Sequence, residues 1–407
     1  MDFGYSAEQQ ALREEVRAFI KEHVTDDVID EIENGHAGED GKIQRGRGPL
    51  TKDLFRKIGE RGWLGIAWPK EYGGAGKDRM TQYIVEEEFS RAGIGVGGGG
   101  SGAPAIMVAG TEEQKQYYIP RLISGEISFA LGFTEPSCGA DLAGLQCRAV
   151  RDGDEYVING QKMYTSSAHT ATHFYLMART DPTAPRHKGI SIFIFPMDTP
   201  GITVRPLWTL QNNPKAPIGT TYGTPRTNET FLEDVRVPQT ALLGKENMGW
   251  YVGAMGLNLD RVGAWRYLIS VRRDEDIFNF IKTQRDQYGW ADTEATRDRL
   301  AEMWIEAQMS RLMTMRSMSI VEREQDFTYE GSAEKVWAPE HGIRVSETIS
   351  QVLGPYAQLM NGSEGAIEDG IYSHNVLSSW ISGVNHGSVQ VMRDQIGRRG
   401  LGMARAT

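Results

Sequence analysis

The chain has few cysteines, no long apolar run and no excess of positive charge. Cys138 and Cys147 are the only cysteines among 407 residues, and because their spacing fits no metal site we interpret them as reduced thiols of a cytoplasmic protein. The net charge of -10 argues against nucleic acid or an anionic membrane as the main partner. The longest strand-like apolar run, at 190–195, is too short to span a membrane, and MDFGYSAEQQ at the N-terminus does not resemble a signal peptide.

The spacing of apolar residues changes twice along the chain. Up to residue 128 they recur at helical intervals, as at Leu12, Val16 and Phe19, which follow a capping-box pattern at Ser6 and Gln9; residues 31–50 are predicted to form a loop. From 129 to 238 the period falls to two, and strands are predicted at 174–178, 190–195 and 202–204. Helical spacing returns from 239 to 407, apart from an interruption predicted at Pro339. The sequence therefore predicts three domains, 1–128, 129–238 and 239–407, in an α–β–α order.

Two short polar motifs lie near the start of the predicted β-domain. T-E-P occupies 134–136 and K-M-Y-T-S occupies 162–166, with a strand, a turn at 151–154 and a second strand between them. The turn brings both motifs to one end of a small sheet. Backbone donors and hydroxyls gathered there suit a flat cofactor that forms hydrogen bonds, and Gly139 permits the backbone to approach it closely.

Two other patterns have simpler explanations than the sites that they suggest. Gly93, Gly95 and Gly98 fit G-x-G-x-x-G, but a helix precedes them where a dinucleotide fingerprint requires a strand, so a helix end and a loop are predicted. His169 and His173 are four residues apart, yet they precede a strand and have no adjacent acidic ligand. We therefore predict hydrogen-bonded loop histidines and no metal site.

The paired motifs resemble those of the flavin-dependent acyl-CoA dehydrogenases, which typically read TEPxAGSD, then DGDEYVINGxK, then W-[IT]-[TS]. The resemblance covers the whole chain in order. It implies an N-terminal α-helical domain, a middle β-barrel domain and a C-terminal four-helix bundle. It also implies FAD as cofactor and the dehydrogenation of an acyl-CoA thioester to the trans-2-enoyl-CoA. The electrons would pass to an electron-transfer flavoprotein or an equivalent acceptor.

The family takes the base that removes the α-proton from one of two places. Its E-G-T loop near the C-terminus corresponds here to 386–390, where His386 stands in place of the glutamate. The other place is the first helix of the C-terminal domain, where Asp260 precedes Arg261. The resemblance therefore implies Asp260 as the base, with His386 either orienting or replacing it. Glu330, in a similar E-G-S sequence, lies too far upstream and is interpreted as a helix start.

Further site residues follow from the family's motifs, position by position. The flavin contacts within the chain would be Phe133, Thr134, Gly139, Ala140, Tyr164, Thr165, Ser166, Ser388 and Gln390. The substrate contacts would be Ala140, Asn258, Arg261 and Gly387. A neighbouring subunit would add Arg285 and Gln351, although Pro355 alters the turn that follows Gln351 and removes a backbone donor.

Contacts across subunits imply an oligomer, such as a dimer of dimers. A homo-oligomer is the simpler interpretation. A mixed tetramer stays open, because some bacterial members that act on steroid side-chain thioesters are heterotetramers and share an L-N-x-[DE]-R-V-like segment, here 257–262. Two alternatives also remain: a partner subunit with a degenerate site, and a flavin oxidase or monooxygenase of the same fold. The run 211–228 is longer than the family's and is either a loop near the substrate channel or a surface insertion.

Overall fold

The computed structural model describes residues 5–34, 36–37, 43–44, 48–96, 102–210, 227–260, 264–283, 292–323 and 325–404. Helices come first, a mixed sheet follows, and a second set of helices ends the chain. The predicted α–β–α architecture is confirmed. The long run at 211–228 falls largely outside the described residues, which resume at Thr227.

The N-terminal helices and a two-residue strand pair precede the sheet. They are α1 (Ala7–His23), α2 (Asp26–Asn34), β1 (His36–Ala37), β2 (Ile43–Gln44), α3 (Pro49–Glu60), α4 (Arg79–Arg91), α5 (Gly102–Ala109) and α6 (Glu112–Ile123). Ser6 begins α1 with the predicted capping box, in which its hydroxyl accepts the Gln9 N–H at 3.2 Å. Helix α2 was not predicted, and its last residues occupy the start of the predicted loop 31–50.

Helix α5 was also missed by the sequence analysis. It reads GAPAIMVA and is apolar almost throughout, so it has no polar face from which a helical period can be recognised. Its side chains at Ala103, Ala105 and Ile106 are fully buried between the sheet and the helices around it. Such a short helix is marginal in water, and its stability comes from this packing.

The middle of the chain forms one eight-stranded mixed sheet. Its strands are β3 (Phe129–Gly132), β4 (Arg148–Asp152), β5 (Glu155–Lys162), β6 (His173–Arg179), β7 (Ile190–Pro196), β8 (Ile202–Pro206), β9 (Asn228–Pro238) and β10 (Leu242–Leu243). The order is β10-β7-β6-β4-β5-β9-β8, with β3 parallel to β6. This path through the described strands does not close, so the sheet is open where a barrel was predicted.

The predicted strand–turn–strand is present as an antiparallel hairpin. Asp152 pairs with Glu155, so the turn is shorter than predicted and consists of Gly153 and Asp154. Gly153 has a φ of 64°, which a two-residue hairpin turn requires and which glycine adopts without steric cost. The hairpin fixes the register of β5 and therefore the position of the motif at its far end.

The two central strands β6 and β7 are buried on both faces. Tyr175 and Ile192 face the helices α5 and α6, whereas Phe174 and Phe193 face the core shared with β5 and β9. Because successive side chains point to opposite faces, one strand contributes to two cores at once. The sheet is thereby held on one side by the N-terminal helices α5 and α6.

The C-terminal helices are α7 (Gly249–Asp260), α8 (Ala264–Thr283), α9 (Glu294–Glu322), α10 (Glu330–Leu353), α11 (Ile371–Ser379) and α12 (Val389–Gln395). Residues of α8, α9, α10 and α11 share one apolar core, as the predicted bundle requires. Helix α10 begins at Glu330, as predicted. Pro339 does not interrupt α10; it is buried inside the continuous helix, where packing offsets the lost hydrogen bond. None of the described helices combines the length and apolarity needed to cross a membrane.

A buried glutamate joins the two helical regions. Glu87 of α4 accepts hydrogen bonds at 3.0 Å from the Tyr5 hydroxyl, the Tyr267 hydroxyl of α8 and the Arg311 guanidinium of α9. Burial alone would raise the pKa of Glu87, but the charge and hydrogen bond of Arg311, together with the charge of Arg91 and the hydrogen bond from Tyr5, hold the pKa below its ordinary value. The N-terminal and C-terminal helices therefore share one charged centre.

A second buried carboxyl lies inside the C-terminal bundle. Asp274 of α8 has no exposed surface, and neither of its carboxyl oxygens has a hydrogen-bond partner among the described residues. Burial, together with the negative charges of Glu275 and Glu306, raises its pKa to about 8, although Arg273 opposes the shift. The folded protein therefore keeps a proton on Asp274 that the unfolded chain releases near pH 4.

This raised pKa predicts a stability that falls with pH. Because the folded state binds the extra proton, the free energy of unfolding should decrease from about pH 4 towards pH 8 and level off above it. Asp274→Asn removes the titration, so the free energy of unfolding of the variant minus that of the wild type should increase by a few kcal/mol between pH 5 and pH 9, at ~1.4 kcal/mol per pH unit up to about pH 8. Urea unfolding at both values measures this.

The matched control is Asp298→Asn, the same substitution on the exposed face of α9. It should leave the free energy of unfolding within ~0.5 kcal/mol of wild type, as surface changes usually do. If the difference in free energy of unfolding between Asp274→Asn and the wild type is the same at pH 5 and pH 9, the titration of a buried carboxyl is contradicted.

Candidate functional site

The two sequence motifs meet at one end of the sheet. T-E-P follows the end of β3, and M-Y-T-S follows the end of β5. The Thr134 carbonyl accepts the Met163 N–H at 2.8 Å, so the two loops are joined directly by their backbones. The prediction that the hairpin brings these loops together is therefore confirmed by the geometry. The site begins with this contact.

A buried ion pair lies beneath the junction of the loops. The Lys162 ammonium donates to Glu135 Oε1 at 2.8 Å and to the Phe133 carbonyl at 3.2 Å, and the lysine has no exposed surface. Glu135 also accepts the backbone N–H groups of Gln146 and Cys147 at 2.6 and 2.9 Å. The pair thus connects the end of β5 with the loop after β3 and with the segment that enters β4.

The second loop is held in an unusual backbone conformation. Tyr164 and Ser167 have φ values of 56° and 59°, in the left-handed region that residues with a side chain rarely adopt. Between them, Thr165 exchanges hydrogen bonds with Asn228 of β9: its N–H donates to the Asn228 carbonyl at 2.9 Å, and its carbonyl accepts from the Asn228 amide at 3.2 Å. These bonds hold the loop in a conformation that would otherwise be unfavourable.

The two motif histidines take part in local hydrogen bonds. His169 Nδ1 lies 3.0 Å from the Asn228 amide nitrogen, and His173 Nδ1 lies 3.0 Å from the Thr172 hydroxyl. Burial lowers the pKa of His173, which favours its neutral form. In the part of the chain that the structure describes, no three His, Cys, Asp or Glu side chains are grouped so as to hold a metal ion.

The surface above the ion pair is open and polar. Tyr164 is 57% exposed, and Gly139, Ala140 and Ser166 are exposed beside it. A Cβ placed on Gly139 would meet nothing within 4 Å, so the backbone there is accessible to a ligand. An aromatic ring, hydroxyls and free approach to the backbone form a donor set that suits a flat heteroaromatic group.

Two buried hydroxyls lie close to this surface without a hydrogen-bond partner among the described residues. They are Thr165 Oγ1, in the second loop, and the Tyr175 hydroxyl, on β6. The ring of Tyr175 lies 5.7 Å from the ring of Phe133, next to Thr134. Buried polar groups are normally paired, so polar atoms of a ligand bound here would complete them. The residues present therefore fit the isoalloxazine of a flavin.

The C-terminal loop contributes a second group of predicted residues. His386 and Gly387 both have positive φ values, 52° and 92°, and His386 and Gln390 are exposed. The Ser388 hydroxyl accepts the Val391 N–H at 3.4 Å and so caps α12. This cap fixes the point at which the loop ends and α12 begins. The loop carries His386 and Gly387, and the first turn of α12 carries Gln390.

The remaining predicted residues are placed only in part. Asn258 and Asp260 end helix α7, but their side chains lie outside the described residues, as do Arg261 and Arg285 entirely. Gln351, near the end of α10, is exposed, and its amide oxygen accepts a hydrogen bond from Arg299 of α9. The structure thus brings the flavin loops together and leaves the position of the base as a prediction.

Sequence reasoning missed three residues that shape the site. Glu135 and Lys162 stand inside the two motifs, and Asn228 begins β9 on the neighbouring strand. One signal was available in the sequence. A lysine ends an alternating strand and a glutamate lies inside a proline-containing turn, and both stand beside ligand-binding positions. Their opposite charges could have suggested that they pair. The pairing itself depends on strand register, which the sequence does not give.

Three family models match the chain in order. The N-terminal domain of acyl-CoA dehydrogenase matches residues 6–126, the middle domain matches 130–223, and the C-terminal domain matches 247–401. Among curated proteins, acyl-CoA dehydrogenase FadE26 of Mycobacterium tuberculosis is 33% identical over 426 residues, which cover all of both chains.

Two solved structures share the fold over the whole chain. One is the Tcur3481-Tcur3483 steroid ACAD, with a TM-score of 0.84 and 33% identity. The other is the ChsE4-ChsE5 complex of Mycobacterium tuberculosis, with a TM-score of 0.82 and 31% identity. In both comparisons the match covers 100% of each chain. The first structure is named as a steroid ACAD, and the second is named as a complex.

The hydrogen bonds of Asn228 predict a specific loss of stability. Asn228→Ala leaves the buried Thr165 carbonyl without its side-chain donor, which should cost about 1–3 kcal/mol of unfolding free energy. The matched control is Asn159→Ala, since Asn159 on β5 donates to Asp234 of β9 at 3.0 Å in a solvent-exposed contact. The control should cost less than ~1 kcal/mol. Equal losses in the two variants, measured by urea unfolding, would contradict a structural role for Asn228.

Proposed function

The chain belongs to the acyl-CoA dehydrogenase family, and from this premise we propose that it oxidises an acyl-CoA thioester to the trans-2-enoyl-CoA. The family consists of FAD-dependent oxidoreductases that act on CH–CH bonds of acyl-CoA. The observation that carries the proposal is the junction of the two motif loops, at which the Thr134 carbonyl accepts the Met163 N–H. FAD, when bound, supplies the acceptor for the β-hydride of the substrate.

The residues that would hold the flavin come from both loops. The Tyr164 ring is exposed and can lie against an aromatic ring, while the Ser166 and Thr134 hydroxyls and the backbone around Gly139 provide polar contacts. Phe133, Thr165 and Ala140 complete this surface. From the C-terminal loop, Ser388 and Gln390 would add a hydroxyl and an amide. In an oligomer, Arg285 and Gln351 would reach the flavin of a neighbouring subunit.

Asp260 is the proposed base for the α-proton. A carboxylate near the substrate can accept this proton, and an apolar pocket raises the pKa of a carboxyl towards the working pH, so that the proton transfer becomes efficient. Hydrogen bonds to the thioester oxygen stabilise the negative charge that develops as the proton leaves. Asn258, Arg261, Ala140 and Gly387 are proposed to position the substrate against Asp260.

His386 is the second candidate for the base. It stands where the family's loop glutamate would be, and the loop is exposed, with a positive φ at His386. An imidazole can either accept a proton or orient a neighbouring carboxylate. The same substitution also favours the alternative that this chain is the partner subunit of a mixed complex with a degenerate site.

A steroid side chain is the proposed acyl group, and a second dehydrogenase-like subunit is the proposed partner. Both inferences are supported by the similar assemblies named as a steroid ACAD and as the ChsE4-ChsE5 complex. On α9 a row of partly exposed apolar side chains is available to cover a neighbouring chain: Trp304, Ile305, Met309 and Leu312. We propose a cytoplasmic tetramer that passes electrons to an electron-transfer flavoprotein or an equivalent acceptor.

Asp260→Asn tests the proposed base. The amide keeps the size of the side chain but cannot accept the proton, so kcat should fall roughly 10²–10⁴-fold. Flavin content and the KM for the acyl-CoA should change little, since the variant keeps the cofactor loops. His386→Asn, assayed in parallel, separates the two candidates. Turnover that survives in Asp260→Asn and fails in His386→Asn would assign the chemistry to His386.

A panel of acyl-CoA thioesters tests the substrate class. The yellow holoenzyme, mixed anaerobically with each thioester, should lose its flavin absorbance with a steroid side-chain CoA and much less with straight-chain analogues. Bleaching by short straight chains alone would contradict the proposed acyl group. Purifying the chain alone with full flavin occupancy would count against the mixed assembly, whereas a gain of flavin on adding a second subunit would support it.

A further inference from the structure

The buried pair Glu135–Lys162 is the least solvent-exposed ion pair among the described residues. The exposed fraction of the lysine side chain is 0% and that of the glutamate side chain is 4%. Each residue stands next to the proposed flavin contacts: Glu135 follows Thr134, and Lys162 is two residues before Tyr164. Neither residue belongs to the set that would touch the cofactor.

We infer that Glu135 and Lys162 are positioning residues, which set the spacing of the two flavin loops and thereby the affinity of the protein for FAD. The inference rests on the proposed binding of FAD between these loops. Lys162 reaches across from β5 to the Phe133 carbonyl, and Glu135 continues the connection to the N–H groups of Gln146 and Cys147. A shift in either residue therefore displaces backbone on both sides of the junction.

Directional contacts distinguish this role from a general contribution to stability. A buried ion pair often gives little net stability, because the cost of removing both charges from water offsets their attraction. Its charge-assisted hydrogen bonds are nevertheless short and strongly oriented. Here one bond joins the two side chains and three end on backbone groups, so together they fix the end of β5, the loop after β3 and the segment that enters β4 relative to one another. A cofactor bound between the segments is sensitive to displacements of less than 1 Å.

The test uses two variants, of which the first removes one charge of the pair and the second removes both. Lys162→Met keeps the length of the side chain and removes the ammonium, which leaves Glu135 buried without its cation. The double variant Glu135→Gln/Lys162→Met removes both charges and keeps an acceptor for the Cys147 N–H, although not for the Gln146 N–H. FAD affinity is measured by titrating the apoprotein and following flavin fluorescence, and the visible spectrum of the bound flavin is recorded for each variant. Thermal unfolding and circular dichroism of the apoproteins report the fold.

The positioning role predicts that FAD affinity and stability separate. Lys162→Met should raise the dissociation constant for FAD at least tenfold. The double variant should recover most of the unfolding temperature, but its FAD dissociation constant should stay at least tenfold above wild type and its flavin absorption maxima should be shifted. If the double variant recovers both properties together, the pair serves stability alone and the inference is overturned.

The control is a variant that loses stability without changing the ion pair. Val237→Ala removes buried volume at the opposite end of the sheet, where Val237 of β9 pairs with Tyr156. It should lower the unfolding temperature while the FAD dissociation constant stays within twofold of wild type. A rise in that constant equal to the rise in Lys162→Met would also overturn the inference. A wild-type protein that binds no FAD would instead contradict the proposed function.

Discussion

A lysine ammonium without any exposure to water is tolerated only if oxygen atoms surround it. In this chain, Lys162 meets that requirement with Glu135 and the Phe133 carbonyl, 29 residues earlier. The hairpin of β4 and β5 must therefore end beside the loop after β3, whatever else the chain does. The two ligand loops, the exposed Tyr164 and the open backbone at Gly139 all follow from that constraint.

The position of the site depends equally on how the sheet is covered. Strands β6 and β7 are buried on both faces, since helices α5 and α6 pack on one and strands β5 and β9 on the other. Ligands are consequently excluded from the faces of these two strands. The loops at one end carry hydroxyls and an exposed aromatic ring. Two buried hydroxyls, that of Thr165 in the second loop and that of Tyr175 on β6, have no hydrogen-bond partner among the described residues. The proposed functional side chains are therefore concentrated at one end of the sheet and not on its packed faces.

The sequence predicted those features that local patterns determine. The capping box at Ser6, the hairpin turn at Gly153, the change of period at the sheet and the resemblance of the paired motifs led to the fold and to most of the proposed flavin contacts. The open edge of the sheet was not predictable, because closure depends on which strands meet at the ends and not on their apolar pattern. Helix α5 lacked a polar face, and Pro339 is stabilised by contacts from other helices.

The partners of charged side chains were hardest to predict. Glu135 and Lys162 both belong to the two sequence motifs. Their contact nevertheless depends on the register of β5 against the loop after β3. Asp274 gave no signal at all in the sequence, because its burial results from the packing of α8 against two other helices. Residues such as Asp260 can be named from a resemblance, but the distance that makes one of them a base is a property of the assembled protein.

The hydrogen bonds of Glu87 determine whether the chain can be divided into fragments that fold separately. Its hydrogen-bond donors come from the first residues of the chain and from helices more than 170 residues away, at Tyr267 and Arg311. A fragment that ends after the sheet would keep the carboxylate but lose the arginine that compensates it. We therefore expect neither helical region to fold stably as a separate fragment, and we expect the whole protein to unfold in one cooperative transition.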